Sequence, residues 1–118
     1  MAIQNIKLGR LKQRSEFLHA RGGKYQARPG IVIQMRKDPK VPDTPSETIK
    51  VGFTATKKIG NAVVRNKCKR RMRELARTFL PLHGKPGFNY VFIARADTAK
   101  AEWAQLCKDV EKALLRLA

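Results

Sequence analysis

The stretch from Asn61 to Phe79 constrains this chain more than any other. Its apolar residues Val64, Cys68, Met72, Leu75 and Phe79 recur at intervals of three and four, the spacing of one helix face. At roughly 100° per residue they form a narrow stripe, while Arg65, Asn66, Lys69, Arg70, Arg73 and Arg77 share a wide arc of their own. Lys67 and Arg71 lie beyond that arc. Asn61, after Gly60, reads as the N-cap, and Pro81 as lying just past the far end. The like charges at positions 65, 69 and 73 are i, i+4 neighbours, which costs an isolated helix roughly 0.2–0.5 kcal/mol per pair. Only Glu74 offsets them within the run. Such a helix needs a hydrophobic surface for its stripe and a polyanion for its cationic face. Arginine matches phosphate with two parallel hydrogen bonds, so the partner should carry phosphates.

The flanking segments read as strands and short helices. Residues 48–56 alternate, with Ile49, Val51, Phe53 and Ala55 on a packed face and Lys50, Gly52, Thr54 and Thr56 on an open one. Residues 30–36 and 88–95 are further strands, separated from their neighbours by proline- and glycine-rich stretches. The segment KDPKVPDTPSE, with prolines at 39, 42 and 45, reads as a surface loop. Residues 10–21 read as a helix with Ser15 as a candidate cap and Gly22-Gly23 as its stop. Residues 99–117 form a last helix, whose Trp103, Leu106, Cys107, Val110, Leu114 and Leu117 are spaced for one buried side. No repeat or linker interrupts the chain, and 118 residues suit one domain spanning 1–118.

Charge narrows the function. The net charge of +17 is concentrated in residues 1–28 and 51–96, while residues 97–118 are neutral. Solubility requires far less, so the excess points to a nucleic acid held by salt-dependent contacts. No apolar run approaches the roughly 18 residues that span a bilayer, and no secretory signal opens the sequence, so a cytoplasmic protein is expected. Cys68 and Cys107 are too few and too far apart for a disulfide framework or a zinc site, and read as small hydrophobes. The nine acidic residues are scattered, so no carboxylate cluster offers itself for metal-assisted hydrolysis. His19 and His83 stand alone, and no phosphate-binding glycine loop is present. The residues read as those of a binding protein, with any catalysis supplied by a partner. Three alternatives share some of these features: a ribosomal or ribosome-assembly protein, a small metal-dependent ribonuclease, and a DNA-binding regulator. The last lacks a helix-turn-helix partner for its basic helix.

The run Lys57-Lys58-Ile59-Gly60-Asn61-Ala62-Val63-Val64-Arg65-Asn66-Lys67-Cys68-Lys69-Arg70-Arg71-Met72-Arg73-Glu74 resembles the RNR signature of the bacterial ribonuclease P protein family. Arg10-Leu11, Phe17 and Gly23-Lys24 resemble that family's opening helix, and the element order matches over nearly the whole chain. The resemblance implies an α+β sandwich with a four-stranded mixed sheet, helices on one face, and a left-handed strand–helix–strand crossover carrying the RNR helix. That hand runs against the general rule. Residues 25–28 would supply the extra strand.

The resemblance also implies an RNA-binding subunit of the ribonuclease P ribonucleoprotein, an endonuclease of tRNA processing that removes the 5′ leader of precursor tRNA. The RNA would perform the hydrolysis with Mg2+, so no catalytic residue is expected in the protein. Carried over position by position, Arg65, Asn66, Lys69, Arg70 and Arg73 would contact the catalytic RNA. Lys57 and Lys58 would face phosphates beside them, and Asn61 would cap the helix at that interface. Phe17 would line the leader cleft, with Arg14, Arg21, Tyr25, Thr54 and Thr56 around it. Arg21 stands where some members carry a second aromatic, which replaces a stacking surface with a phosphate contact. One protein per RNA is expected.

Overall fold

The computed structural model describes residues 6–39 and 47–118. Among these residues nine elements follow in order: β1 (Lys7–Arg10), α1 (Arg14–Arg21), β2 (Lys24–Arg28), β3 (Ile31–Lys37), β4 (Thr48–Thr54), a 3-10 turn (Lys57–Ile59), α2 (Ala62–His83), β5 (Phe88–Ala94) and α3 (Trp103–Leu117). The strands make one mixed sheet in the order β1-β4-β5-β3-β2. β4 and β5 are adjacent and parallel, so α2 is the crossover between them. β3 pairs antiparallel with both β5 and β2.

Alternation decides which side chains meet which layer. Ile49, Val51, Ile31, Ile33, Met35, Tyr90 and Phe92 are buried on the face shared with α2 and α3. There they meet Cys68, Met72, Leu75, Ala76 and Leu80 of α2 and Leu106, Val110, Ala113, Leu114 and Leu117 of α3. Each side chain of Leu or Met size buried this way stabilises the fold by roughly 1.5–3 kcal/mol. The rings of Phe53 and Phe92 pack edge to face with centroids 5.9 Å apart. A smaller cluster lies on the opposite face, where α1 rests on the sheet through Leu11, Ala20 and Phe17 against Val91 and Ile93.

α3 docks against the β2–β3 turn through buried polar contacts. Asp109 is 3% exposed and accepts hydrogen bonds from Gly30 N (3.2 Å) and Gln105 Nε2 (3.2 Å). The Thr98 hydroxyl donates to the Gly30 carbonyl at 2.6 Å. A Cβ at position 30 would press on Leu106 and Asp109, so the close approach needs glycine.

Four expectations are corrected. The sheet has five strands rather than four, because Lys7–Arg10 pairs parallel with Thr48–Val51. Four residues are too few to show an alternation, and their strand conformation comes from pairing partners 41 residues further along the chain. The helices occupy both faces, with α1 on the side opposite α2 and α3. α1 is shorter than 10–21, and its cap is Gln13 rather than Ser15: Glu16 reaches back to Gln13 N at 2.9 Å in a capping box. Pro81 lies inside α2 rather than beyond it. There it forfeits one backbone bond, but buried Leu80 and the 3.0 Å contact of His83 Nε2 with Glu111 hold the last turn against α3. The proline-rich loop falls, apart from its ends, outside the described residues.

Candidate nucleic-acid interface

α2 begins where the sequence places it. Asn61 Oδ1 accepts from Val64 N at 3.0 Å, which satisfies one of the free amides of the first turn. Gly60, at φ 155°, turns the chain from the 3-10 helix into α2. Lys57 and Lys58 are exposed on that short helix, beside the α2 N-terminus. Asn66, Arg70 and Arg73 are exposed on α2, and Arg65 and Lys69 are half-buried. The buried stripe is wider than the sequence indicates, because Ala76 and Leu80 join it. Toward its C-terminus α2 presses the edge of its charged arc onto the sheet.

A groove of about 460 Å3 separates α1 from α2 at the end of β4. Arg14, Phe17 and Arg21 line it from α1, Thr54 and Ala55 from β4 and its extension, and Lys69 from α2. The structure therefore brings four of the six expected cleft residues to one place, together with a lysine expected on the RNA-binding face. Phe17 sits in two environments at once: its ring lies over Gly52 and packs with Leu11, while it also lines the groove. Tyr25 and Thr56 are placed elsewhere. Tyr25 is 64% exposed and pairs with Gln34, which pairs with Val91. It thus shares the α1 face of the sheet, but on the outer strand and away from Phe17. Thr56 is exposed at the start of the 3-10 turn. Lys12, Leu18 and Phe53 also line the groove. Lys12 was legible as part of the basic N-terminal run; Phe53 was not, because its position in the alternation assigns it to the core.

The electrostatics of the site are one-sided. Glu74 is half-exposed and pairs with Arg77 at 3.0 Å, a contact worth little in water. On the sheet face beside α1, Lys50 lies 3.4 Å from Asp38 and 4.0 Å from Glu16, so those acids are already matched. Among the described residues no three His, Cys, Asp or Glu side chains gather where they could hold a metal ion. The donor set around the groove is ammonium and guanidinium, which does not fit a resident Mg2+. Burial pushes the Cys68 thiol above its ordinary range, against the opposing pull of Arg71 and Lys67. The Cys107 thiol is raised for the same reason. Neither is activated as a nucleophile.

Arg71 has a different task from its basic neighbours. Its guanidinium donates to the carbonyls of Thr98 (2.6 Å) and Ala101 (2.8 Å) and lies over the Trp103 ring. It joins α2 to the turn preceding α3 and leaves the charged face to the other residues.

The profile of the family described as Ribonuclease P matches residues 7–118. The chain belongs to the ribonuclease P protein family. A ribonuclease P protein component from Caulobacter vibrioides is 50% identical over 117 residues, covering 99% of this chain and 76% of the relative. Another, from Ruegeria pomeroyi, is 44% identical over 91% of this chain and 84% of its own length. Among solved structures, the RNase P protein of Thermotoga maritima superposes with a TM-score of 0.74 at 26% identity, over 92% of this chain and 97% of that one. A mutant Staphylococcus aureus RNase P protein gives 0.72 at 25% identity, over 89% and 84%. The RNR run and the α1 groove thus sit in a ribonuclease P protein. No helix among the described residues is long and apolar enough to cross a membrane.

Proposed function

We propose that this protein is the RNA-binding subunit of a cytoplasmic ribonuclease P holoenzyme that removes the 5′ leader from precursor tRNA. One copy binds one catalytic RNA through Lys57, Lys58, Asn61, Arg65, Asn66, Lys69, Arg70 and Arg73. The leader lies along the groove beside Phe17, where the ring stacks on a base and Arg14 and Arg21 meet the backbone; such stacking is sequence-tolerant because every base has a π-face. Magnesium would be held by the RNA, where it would supply the Lewis acid for phosphodiester hydrolysis. The protein's residues bind and orient.

One observation carries this reading: Lys69 belongs to the RNR face and also lines the groove with Phe17. A leader in the groove is therefore held next to the catalytic RNA rather than at a separate site. The experiment is cleavage of precursor tRNA at low magnesium with the RNA alone, the protein alone, and both together. Activity in the mixture alone is the expected result. Cleavage by the protein alone would place the chemistry on its own residues. No cleavage in any combination, with an RNA competent at high magnesium, would overturn the proposed role in leader removal.

A further inference from the structure

A second trough lies on the other side of the β1–α1 corner. It has a volume of about 320 Å3 and runs between β1 and α2, lined by Leu8, Arg10, Val51, Phe53, Arg73 and Arg77, among others. A smaller cleft of about 190 Å3, which includes Lys12, Lys69 and Arg73, connects it to the Phe17 groove. Groove and cleft share Lys12, Phe17, Phe53 and Lys69; cleft and trough share Arg10, Phe53 and Arg73. The three form one continuous basic track.

The trough exists because β1 is short. It covers β4 only from Thr48 to Val51, which leaves the rest of β4 open on that side. Val51 O accepts from Leu11 N at 3.1 Å, so its carbonyl points toward β1. Strand alternation then turns the N–H and C=O of Phe53 the same way, past the last β1 partner. The floor thus combines apolar Leu8, Val51 and Phe53 with a backbone donor and acceptor. The rim carries the exposed guanidinium groups of Arg10, Arg73 and Arg77. An apolar floor, a hydrogen-bonding edge and a cationic rim suit a nucleotide with its base unstacked, the form in which single strands are read.

We infer that the β1–α2 trough is a further subsite for the leader, taking a nucleotide more distant from the cleavage point than the one on Phe17. This rests on the leader-binding reading above. Continuity selects the occupant: a strand leaving the Phe17 groove past Lys69 enters the trough between Arg10 and Arg73. The base lies on Leu8 and Phe53, and the phosphates meet the guanidinium rim.

The test uses assembled holoenzyme and precursor tRNAs whose leaders are lengthened one nucleotide at a time. Wild type should gain affinity in two steps, the second with leaders long enough to reach the trough. Arg10→Glu alters an exposed side chain outside the core. It should abolish the second step, a loss of roughly tenfold, the scale of one stacked base. It should also lower the salt slope of long-leader binding by about 0.7 for each phosphate that the rim no longer neutralises. Short-leader binding and assembly with the catalytic RNA should be unchanged. A photo-crosslinker attached to Leu8→Cys should mark leader nucleotides. The inference is overturned by a single affinity step in wild type, by a second step that survives Arg10→Glu, or by crosslinks and Arg10→Glu assembly defects confined to the catalytic RNA. Wild type with no preference for precursor over mature tRNA at any leader length would instead defeat the leader-binding reading itself.

Discussion

The guanidinium of Arg71 lies 5.5 Å from the centroid of the Trp103 ring, on the side of α2 that turns away from its basic face. With two carbonyls of the 98–101 turn accepting from the same group, one side chain fixes α2 relative to α3. A residue embedded in the basic signature is thus a structural clamp. The distinction is physical: its donors are already taken by backbone oxygens, while those of Arg70 and Arg73 face solvent.

Arg71→Ala should therefore lower stability without removing an RNA contact. It leaves two carbonyls without a charged donor and ends the stacking on Trp103, for a loss of about 2–3 kcal/mol. Arg71→Lys should recover little of it, since an ammonium cannot reproduce the fork. Thermal unfolding reads the loss. Catalytic-RNA affinity measured well below the transition should stay within about threefold of wild type; a larger drop would return Arg71 to the interface.

The α2 stripe gives the converse pair. Arg70 is exposed and Met72 is fully buried. Arg70→Ala should weaken assembly with the RNA, with a shallower salt dependence, and leave the melting curve nearly unchanged. Met72→Asp buries a carboxylate with no partner and should unfold the domain outright. Circular dichroism and RNA titration on both variants check the pair. Near-normal stability for Met72→Asp would mean that α2 is rotated about its axis relative to the sheet.

The central helix was legible because it is long, periodic and charged on one side, so local pattern and final environment agree. The packed face of β4 was legible for the same reason, since Ile49 and Val51 are buried and Lys50 is not; its other face was read as open, yet Gly52 is buried there beneath Phe17. β1 escaped because its conformation is set by Thr48–Val51 rather than by its own four residues. The ending of α2 escaped because propensity rules stop a helix at Pro81, whereas Leu80 and the His83–Glu111 contact are tertiary. Thr56 and Tyr25 were misplaced relative to the cleft for a geometric reason: alternation assigns a face, but not where along that face α1 rests.

Where α1 rests depends on Gly52. A Cβ there would meet the Phe17 ring and approach Leu11, so the helix packs this closely only because position 52 has no side chain. Gly52→Ala should lift Phe17 from the sheet and cost about 1–3 kcal/mol by overpacking. The displaced ring also leaves the groove, so the preference for precursor over mature tRNA should fall as it does in Phe17→Ala. Catalytic-RNA affinity should hold in both variants. If Gly52→Ala were destabilised but kept the full precursor preference, the ring would belong to the core alone.

Tyr90 supplies a pH dependence of known sign. Its side chain is 1% exposed, and its hydroxyl accepts from Lys85 N at 2.9 Å. Burial raises its pKa above the ordinary value near 10.0, and the Lys85 amide only partly opposes that shift. The folded state therefore holds the phenol proton more tightly than the unfolded chain. The associated stability is fully present below pH 10 and is lost as pH rises through the folded-state value. Urea unfolding at several pH values from neutral to strongly alkaline should show stability falling at the alkaline end. Lysines that deprotonate there contribute to the same fall, so the comparison is with Tyr90→Phe. That variant should start about 1 kcal/mol lower, because the Lys85 amide loses its acceptor, and should decline less steeply. Parallel declines would mean that the Tyr90 phenol does not carry the alkaline loss.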